Sequence, residues 1–321
     1  VRRVVCKEFG PLENLTVEDG PEPVAGPGQV VVDVKAAGVN FVDALFVQGK
    51  YQIKPPTPFT PGSDIAGVVS ALGEGVSSAA VGDRVIASAG LGAFAEQAVL
   101  GAGALFALPD GVSFEVGAAL SQSYATALYT FRYRAPLEDG QWVLVTGAAG
   151  GVGRACVDVA RSMGARVIGV ASSEEKREAA REAGAEATID VTEDVKVRAR
   201  EISGGGVDVV ADQVGGELAE PCLRALKWGG RFLVVGFTGG IPRVPLNQVL
   251  LNSRTVIGIE WGAWAMRNPD ENRKLLSDVL EQVASGALHP SMPTVAKLEE
   301  VAQVLRDFEE RRVTGRVVLV P

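Results

Sequence analysis

Histidine is almost missing from this chain: His289 is the only one in 321 residues. Cysteine is scarce too, and Cys6, Cys156 and Cys222 are odd in number and far apart. That excludes a disulfide framework and suits small buried thiols in a reduced, cytosolic protein. Basic charge is in deficit, with 31 Lys and Arg against 39 Asp and Glu, a net charge of −8. An acidic balance argues against a nucleic-acid or anionic-membrane surface. No apolar run is long enough to span a bilayer, and the opening VRRVVCKEFG lacks a signal-peptide core. Internal repeats, low-complexity tracts and long linkers are missing as well. What is present is apolar material: hydrophobic residues make up 47%. At this length two domains are the better expectation than one core.

The rest of the chain is organised around residues 142–164, WVLVTGAAGGVGRACVDVARSMG. Residues 142–145 are a short apolar run, the pattern of a buried parallel strand. Gly147, Gly150, Gly151 and Gly153 form a turn, and Val152, Cys156, Val159 and Met163 then line one face of a helix that Gly164 stops. Strand, glycine turn and helix present unpaired N–H groups to a pyrophosphate. The spacing is Gly147-x-x-Gly150-x-x-Gly153, not the G-x-G-x-x-G fingerprint, and a tight βα connection that binds nothing has the same look. The context favours a nucleotide. Strands are expected at 166–170, 187–189, 207–211, 231–235 and 255–259, and helices at 173–184, 193–202 and 216–226. That alternation predicts an α/β fold with a doubly wound parallel sheet.

Residues 1–122 read differently. Valine-rich runs at 29–34, 65–71 and 84–87 are split by turn signals such as Gly26-Pro27-Gly28 and Gly82-Asp83, which predicts a β-barrel-like domain with a short helix at 39–48. After about residue 262 the chain reads as helical, at 272–284 and 298–310, and ends in one strand at 315–319. A lone terminal strand needs a sheet, and the N-terminal barrel is its expected host.

The segments GVNFVD (38–43), YQIKPPTPFTPGSDIAGVV (51–69), GDRV (82–85), the glycine turn and TGRVVL (314–319) share a distinctive order and spacing. In these the chain resembles the medium-chain dehydrogenase/reductase superfamily, and within it the zinc-free, zeta-crystallin-like quinone oxidoreductase branch. The resemblance covers essentially the whole chain. It implies a GroES-like β-barrel domain, here 1–122 and 262–321, with a Rossmann domain inserted at 123–261.

The departures from zinc-dependent members carry chemistry. The resemblance puts a ligand cysteine where this chain has Asn40, and histidine and glutamate where it has Ser63 and Asp64. No four-cysteine cluster for a structural zinc exists either. A zinc site needs three or four closely placed N, S or O ligands, and this chain cannot build that one. Alcohol oxidation there uses the metal to stabilise alkoxide. Without it the better substrate is already electrophilic, a quinone or an α,β-unsaturated carbonyl. Such a molecule needs a hydride and at most a hydrogen-bond donor for the developing oxyanion.

By the resemblance, Asn40 and Tyr51 face the nicotinamide in place of the metal and are the candidate catalytic donors. Asn40 also reads as a cap for the helix that begins near Phe41, and Tyr51 as a loop aromatic packing on Pro55 and Pro56. Asp43 reads as a cap rather than a base, and Trp261 as cleft wall or core. For the cofactor, Gly150, Gly151 and Val152 are the expected pyrophosphate contacts. The strand at 166–170 runs on into Val170-Ala171-Ser172-Ser173, with no acid for a ribose 2′-OH. Ser172, Ser173 and Lys176 suit a 2′-phosphate, which implies NADPH. Ser172-x-x-Glu175 equally fits a capping box, both roles are compatible, and Glu174 and Glu175 argue the other way. The resemblance adds Thr126, Phe237, Thr238 and Asn40 to the cofactor contacts. Arg316 reads as a nucleotide contact or a solvated strand residue.

A short-chain dehydrogenase is excluded: Tyr51, Tyr124, Tyr129 and Tyr133 all precede the glycine turn, so no Tyr-x-x-x-Lys follows it. An enone, 2-alkenal or enoyl-thioester reductase stays open, as does a cofactor-binding protein without turnover. The apolar segment 255–259, TVIGI, reads as a sheet edge that needs covering. The resemblance implies a homodimer paired across it.

Overall fold

The computed structural model describes all 321 residues. The chain forms two compact units, residues 1–121 with 291–321, and residues 122–290. In the first, β1 (Arg2–Val5) and β2 (Thr16–Asp19) pair antiparallel. Then come β3 (Gln29–Val39), helix α1 (Phe41–Val47), β4 (Asp64–Leu72), β5 (Arg84–Ser88), β6 (Gln97–Gly101) and β7 (Leu105–Ala107). β-Branched valines suit these strands because their stiff side chains pack well on a pleated surface. Val30, Val32, Val34, Ile65, Val69 and Phe94 are buried in one core. Helix α2 (Phe114–Tyr129) carries the chain on.

The second unit alternates as its apolar runs predict: β8 (Trp142–Thr146), α3 (Gly151–Ser162), β9 (Arg166–Ala171), α4 (Glu174–Glu182), β10 (Ala187–Asp190), α5 (Val195–Ser203) and β11 (Val207–Asp212). It continues with α6 (Ala219–Ala225), β12 (Leu226–Val234), α7 (Leu246–Leu250), β13 (Thr255–Gly258), α8 (Trp261–Arg267) and α9 (Pro269–Ala284). The six strands run parallel in the order β10-β9-β8-β11-β12-β13. Every residue of β8 is buried, as a strand covered on both faces requires. The order reverses between β8 and β11, so the ligand crevice of such a sheet lies at their carboxyl ends.

The chain then returns to the first unit through β14 (Thr294–Lys297), α10 (Val301–Glu309) and β15 (Val317–Val320). β15 lies between β3, antiparallel, and β14, parallel, so the barrel sheet does host the terminal strand. β14 is a strand that the sequence pattern did not show.

The return crossing falls at 290/291, not near 262. Helices α8 and α9 belong to the second unit. Leu275, Leu276, Val279 and Leu280 are buried, the Trp261 indole N–H donates to Asn272 Oδ1 at 2.9 Å, and Arg132 pairs with Asp278. That bond fastens Trp261 to α9. One carboxylate also gathers both ends of this unit. Asp158, buried on α3, accepts from Tyr124 Oη at 2.9 Å, the His289 backbone N–H at 2.6 Å and Arg161 Nη2 at 2.8 Å.

Candidate active site

The glycine turn builds a candidate cofactor site within the second unit. β8 delivers Gly147 at φ +58°, a left-handed conformation that favours glycine. Gly150 N–H returns to Gly147 O at 2.9 Å, closing the turn. No side chain caps α3 at Gly150, and the first bond into the helix is Arg154 N–H to Gly150 O at 2.8 Å. The N–H groups of Gly151, Val152 and Gly153 therefore lie at an uncapped helix start. Gly153 lies so close under the turn that a Cβ there would stand 2.0 Å from Gly147 O. The turn is a cradle only glycine can floor, and it fits a dinucleotide pyrophosphate.

Two neighbouring loops frame the carboxyl ends of β8, β11 and β12. Thr146 Oγ1, fully buried, donates to Asp212 Oδ1 at 2.6 Å and accepts Gln213 N–H at 3.0 Å. Asp212 Oδ1 also takes the N–H groups of Val214 and Gly215, at 3.1 and 3.0 Å. Gly236 N–H reaches Asp212 O at 3.1 Å and Gly239 N–H reaches Val214 O at 2.6 Å. Thr238 Oγ1 donates to Gln213 O at 3.3 Å, and the Phe237 ring stays exposed beside it. The Thr146–Asp212 pair holds these loops in place, and sequence reading missed it. Its only signal was a hydroxyl and a carboxylate at the ends of two adjacent parallel strands.

At the tip of β9 the structure separates the candidate phosphate contacts. Ser173 is the N-cap of α4, its Oγ accepting Lys176 N–H at 3.2 Å. The expected Ser172-x-x-Glu175 capping box is off by one residue, and Ser172 stays exposed. Lys176 is half-buried in the first turn. Glu174, which argued against a phosphate, is held by Arg177 at 2.6 Å and also by Arg181. These arginines keep its carboxyl below the usual range. Thr126 sits midway along α2, half-buried, with its carbonyl accepting Thr130 Oγ1 at 2.7 Å.

The first unit, taken by itself, holds a buried polar cluster. Asn40, 2% exposed, precedes α1. Its backbone N–H donates to Asp43 Oδ2 at 2.7 Å, so Asp43 does close the helix start. Asn40 is the N-cap of α1 and forms a capping box with Asp43, and its carboxamide has two further partners. Its Nδ2 donates to Asp64 Oδ2 at 3.0 Å and its Oδ1 accepts Arg316 Nη1 at 2.7 Å. Arg316 is thus a partner of Asn40 rather than a solvated strand residue, and its Nε and Nη2 have no protein partner. Burial pushes the Asp43 carboxyl up to about 7, opposed by the Asn40 N–H, with the Asp64 charge adding to the rise. Burial raises Asp64 as well and lowers Arg316. The Tyr51 ring packs on that of Phe46, with the centroids 4.6 Å apart.

The chain matches two family models, one described as alcohol dehydrogenase GroES-like domain over residues 26–110 and one as zinc-binding dehydrogenase over 151–281. It is 38% identical to rat quinone oxidoreductase-like protein 2 over 323 residues, covering 99% of this chain and 91% of the relative. It belongs to the quinone oxidoreductase branch of the medium-chain dehydrogenase/reductase superfamily. Its fold agrees closely with the Escherichia coli quinone oxidoreductase solved with NADPH, at TM-score 0.91 and 28% identity, all of both chains being covered. A mycobacterial relative, also solved with NADPH, has TM-score 0.90 and 31% identity, with 100% of this chain and 99% of that one covered.

Membership makes the protein an oxidoreductase and explains the two-unit plan. The zinc in the second model's description finds no ligand set in this member. Asn40, Ser63 and Asp64 stand where the zinc enzymes' motif residues would be, and nowhere do three or more His, Cys, Asp or Glu side chains gather to hold a metal. No helix is long and apolar enough to cross a membrane. The three thiols are buried and free, and burial pushes that of Cys156 up to about 12. None is suited to act as a nucleophile.

Proposed function

We propose that this protein passes reducing equivalents from NADPH to a quinone or another conjugated carbonyl, with no metal. The observation that carries the reading is Asn40. At the position of a zinc-ligand cysteine stands a buried carboxamide with one amide hydrogen uncommitted. Reduced nicotinamide supplies the hydride when bound. The protein contributes the pyrophosphate cradle, the fixed loops around Asp212 and Phe237, and donors at Asn40 and Tyr51 for negative charge on the substrate oxygen. NADPH rather than NADH is favoured by the acid-free tip of β9, the exposed Ser172, the neighbouring Lys176 and the neutralised Glu174.

The test is NADPH oxidation with 1,4-benzoquinone and with a 2-alkenal after dialysis against chelator. Sustained turnover is expected, and a stoichiometric zinc requirement would sink the metal-free reading. Tight NADPH binding with no turnover on either substrate would mark a binder instead. The same assay with both cofactors probes the phosphate contacts. Charged hydrogen bonds contribute about 1.5–3 kcal/mol, and a half-exposed lysine sits at the low end. Lys176→Ala should therefore cost NADPH roughly tenfold in kcat/KM and leave NADH nearly unchanged. Ser172→Asp should shift preference toward NADH, because it repels the phosphate and offers the ribose hydroxyls an acceptor. Equal effects on both cofactors would reduce these residues to a helix start.

The assembly we propose is a homodimer through β13. That strand ends the parallel sheet, pairing only with β12, and Val256 on it is exposed. Leu246 and Leu250 of α7, just before it, are 74% and 79% exposed. An apolar edge with apolar neighbours is a liability unless covered. Light scattering at micromolar concentration should give twice the chain mass, and a monomer would count against it.

A further inference from the structure

The partners of Asn40 settle which way its carboxamide points. A carboxylate only accepts hydrogen bonds and a guanidinium only donates them, so Nδ2 must face Asp64 and Oδ1 must face Arg316. The accepting end is therefore occupied, the backbone N–H is spent on Asp43, and one of the two Nδ2 hydrogens is spent on Asp64. A single amide hydrogen remains.

We propose that Asp64 and Arg316 are positioning residues that lock Asn40 as a donor-only group, so that the site stabilises negative charge on a carbonyl oxygen and offers a hydroxyl no acceptor. This deepens the proposed reduction and rests on Asn40 being a donor to the substrate. The lock is strong because it is built of charged partners and shielded from water. Asn40 is 2% exposed and Asp64 3% exposed, and bonds to ionised groups are shorter and stronger than neutral ones. Asp43 is the remaining ionisable group against the cluster, and it is engaged with the backbone rather than with the carboxamide. The substrate class follows. A quinone or enone gains electron density on oxygen as it is reduced and needs a donor. An alcohol must lose its hydroxyl proton and needs a base or a metal, neither of which Asn40 is in this setting.

The experiment is a coupling cycle read as kcat and KM separately, with 1,4-benzoquinone and NADPH. Asn40→Ala should lower kcat about ten- to a hundredfold. Asp64→Asn keeps the shape but gives position 64 an amide that can either donate or accept, which frees the Asn40 carboxamide to flip. It should lower kcat about tenfold and leave KM for NADPH unchanged. In the Asn40→Ala background Asp64→Asn should cost nothing further, and in a Tyr51→Phe background it should keep its full effect. Arg316→Lys retains a cationic donor and should lose less than Arg316→Met.

As a readout apart from turnover, the Asn40 side-chain amide, assigned by its loss in Asn40→Ala, should give slowly exchanging NMR signals in wild type. Asp64→Asn should speed that exchange. If Asn40→Ala keeps full kcat, the donor reading falls and the proposal with it. If Asn40→Ala is impaired but Asp64→Asn costs the same with and without Asn40, the donor reading stands and the positioning claim falls. Chelator-treated wild type that oxidises 2-propanol with NADP+ as fast as it reduces quinone overturns the donor-only claim. Should Asp64→Asn fail to fold, the Arg316→Lys and Arg316→Met pair with the exchange measurement decides the same question.

Discussion

The Gly153→Ala variant is expected to bind NADPH at least about a hundredfold more weakly than wild type. Its backbone angles are ordinary for a helix, so the penalty comes wholly from contact. The new Cβ would stand 2.0 Å from Gly147 O, 2.8 Å from Gly147 C and 2.9 Å from Ala148 Cα. All three are backbone atoms of the turn, and none can swing aside as a side-chain tip would. The turn must lift away from the helix, and it carries with it the N–H groups that are to meet the pyrophosphate. Losing two charge-assisted bonds costs about 3–6 kcal/mol, and overpacking takes a further ~1–3 kcal/mol from stability. Gly111→Ala is the control, because it lies outside the turn and its Cβ would meet nothing within 4 Å. Fluorescence titration with NADPH and thermal unfolding of both variants would read the difference. If Gly153→Ala bound NADPH as wild type does, the cradle would lie elsewhere.

The second large effect concerns stability against pH. The Asp43 carboxyl is pushed from its ordinary 3.8 up to about 7, because burial disfavours its charge. Between those values the folded chain holds a proton that the unfolded chain has released. Stability therefore falls as pH rises from about 4 to about 7 and levels off above. At about 1.4 kcal/mol per pH unit the loss approaches ~4 kcal/mol. Asp43→Asn removes the charge and keeps an oxygen for the Asn40 N–H. The variant should match wild type near pH 4 and pull ahead up to about pH 7, by several degrees in apparent Tm. Parallel curves for the two proteins from pH 4 to 8 would mean that Asp43 is ionised throughout. The direction is opposite to that of a salt-bridged carboxylate such as Glu174, whose contribution would be lost on acidification.

Local pattern made much of the second unit legible. A buried parallel strand announces itself by an unbroken apolar run, and Trp142–Thr146 is one; the glycine turn needed nothing beyond its neighbours. Pattern fails where the deciding partner is remote. Arg316 lies 276 positions from Asn40, and only β15 returning beside β3 brings them together. β14 reads TVAK, four residues too short and too polar to declare a strand until β15 lies alongside. Amphipathic helices carry the same ambiguity. The 3.6-residue stripe of α9 shows that it packs, not on which core, so pattern alone puts the return point some thirty residues before the observed one. The capping box at Ser172 failed for a smaller reason. Ser173 is extended, at φ −145°, as an N-cap must be, and either serine satisfied the composition.

Asp158 bears on how a chain can be interrupted without being spoiled. Tyr124 and His289 stand beside the two points where the chain enters and leaves residues 122–290, and both close on this one carboxylate. Once that stretch has folded, its ends are fastened to the same helix. Joining the ends of an open loop of that length costs an entropy on the order of 4 kcal/mol. Here the inserted piece settles that cost internally, and the barrel segments on either side meet what amounts to a short, closed link. Residues 122–290 thus ask of the chain around them only two neighbouring attachment points.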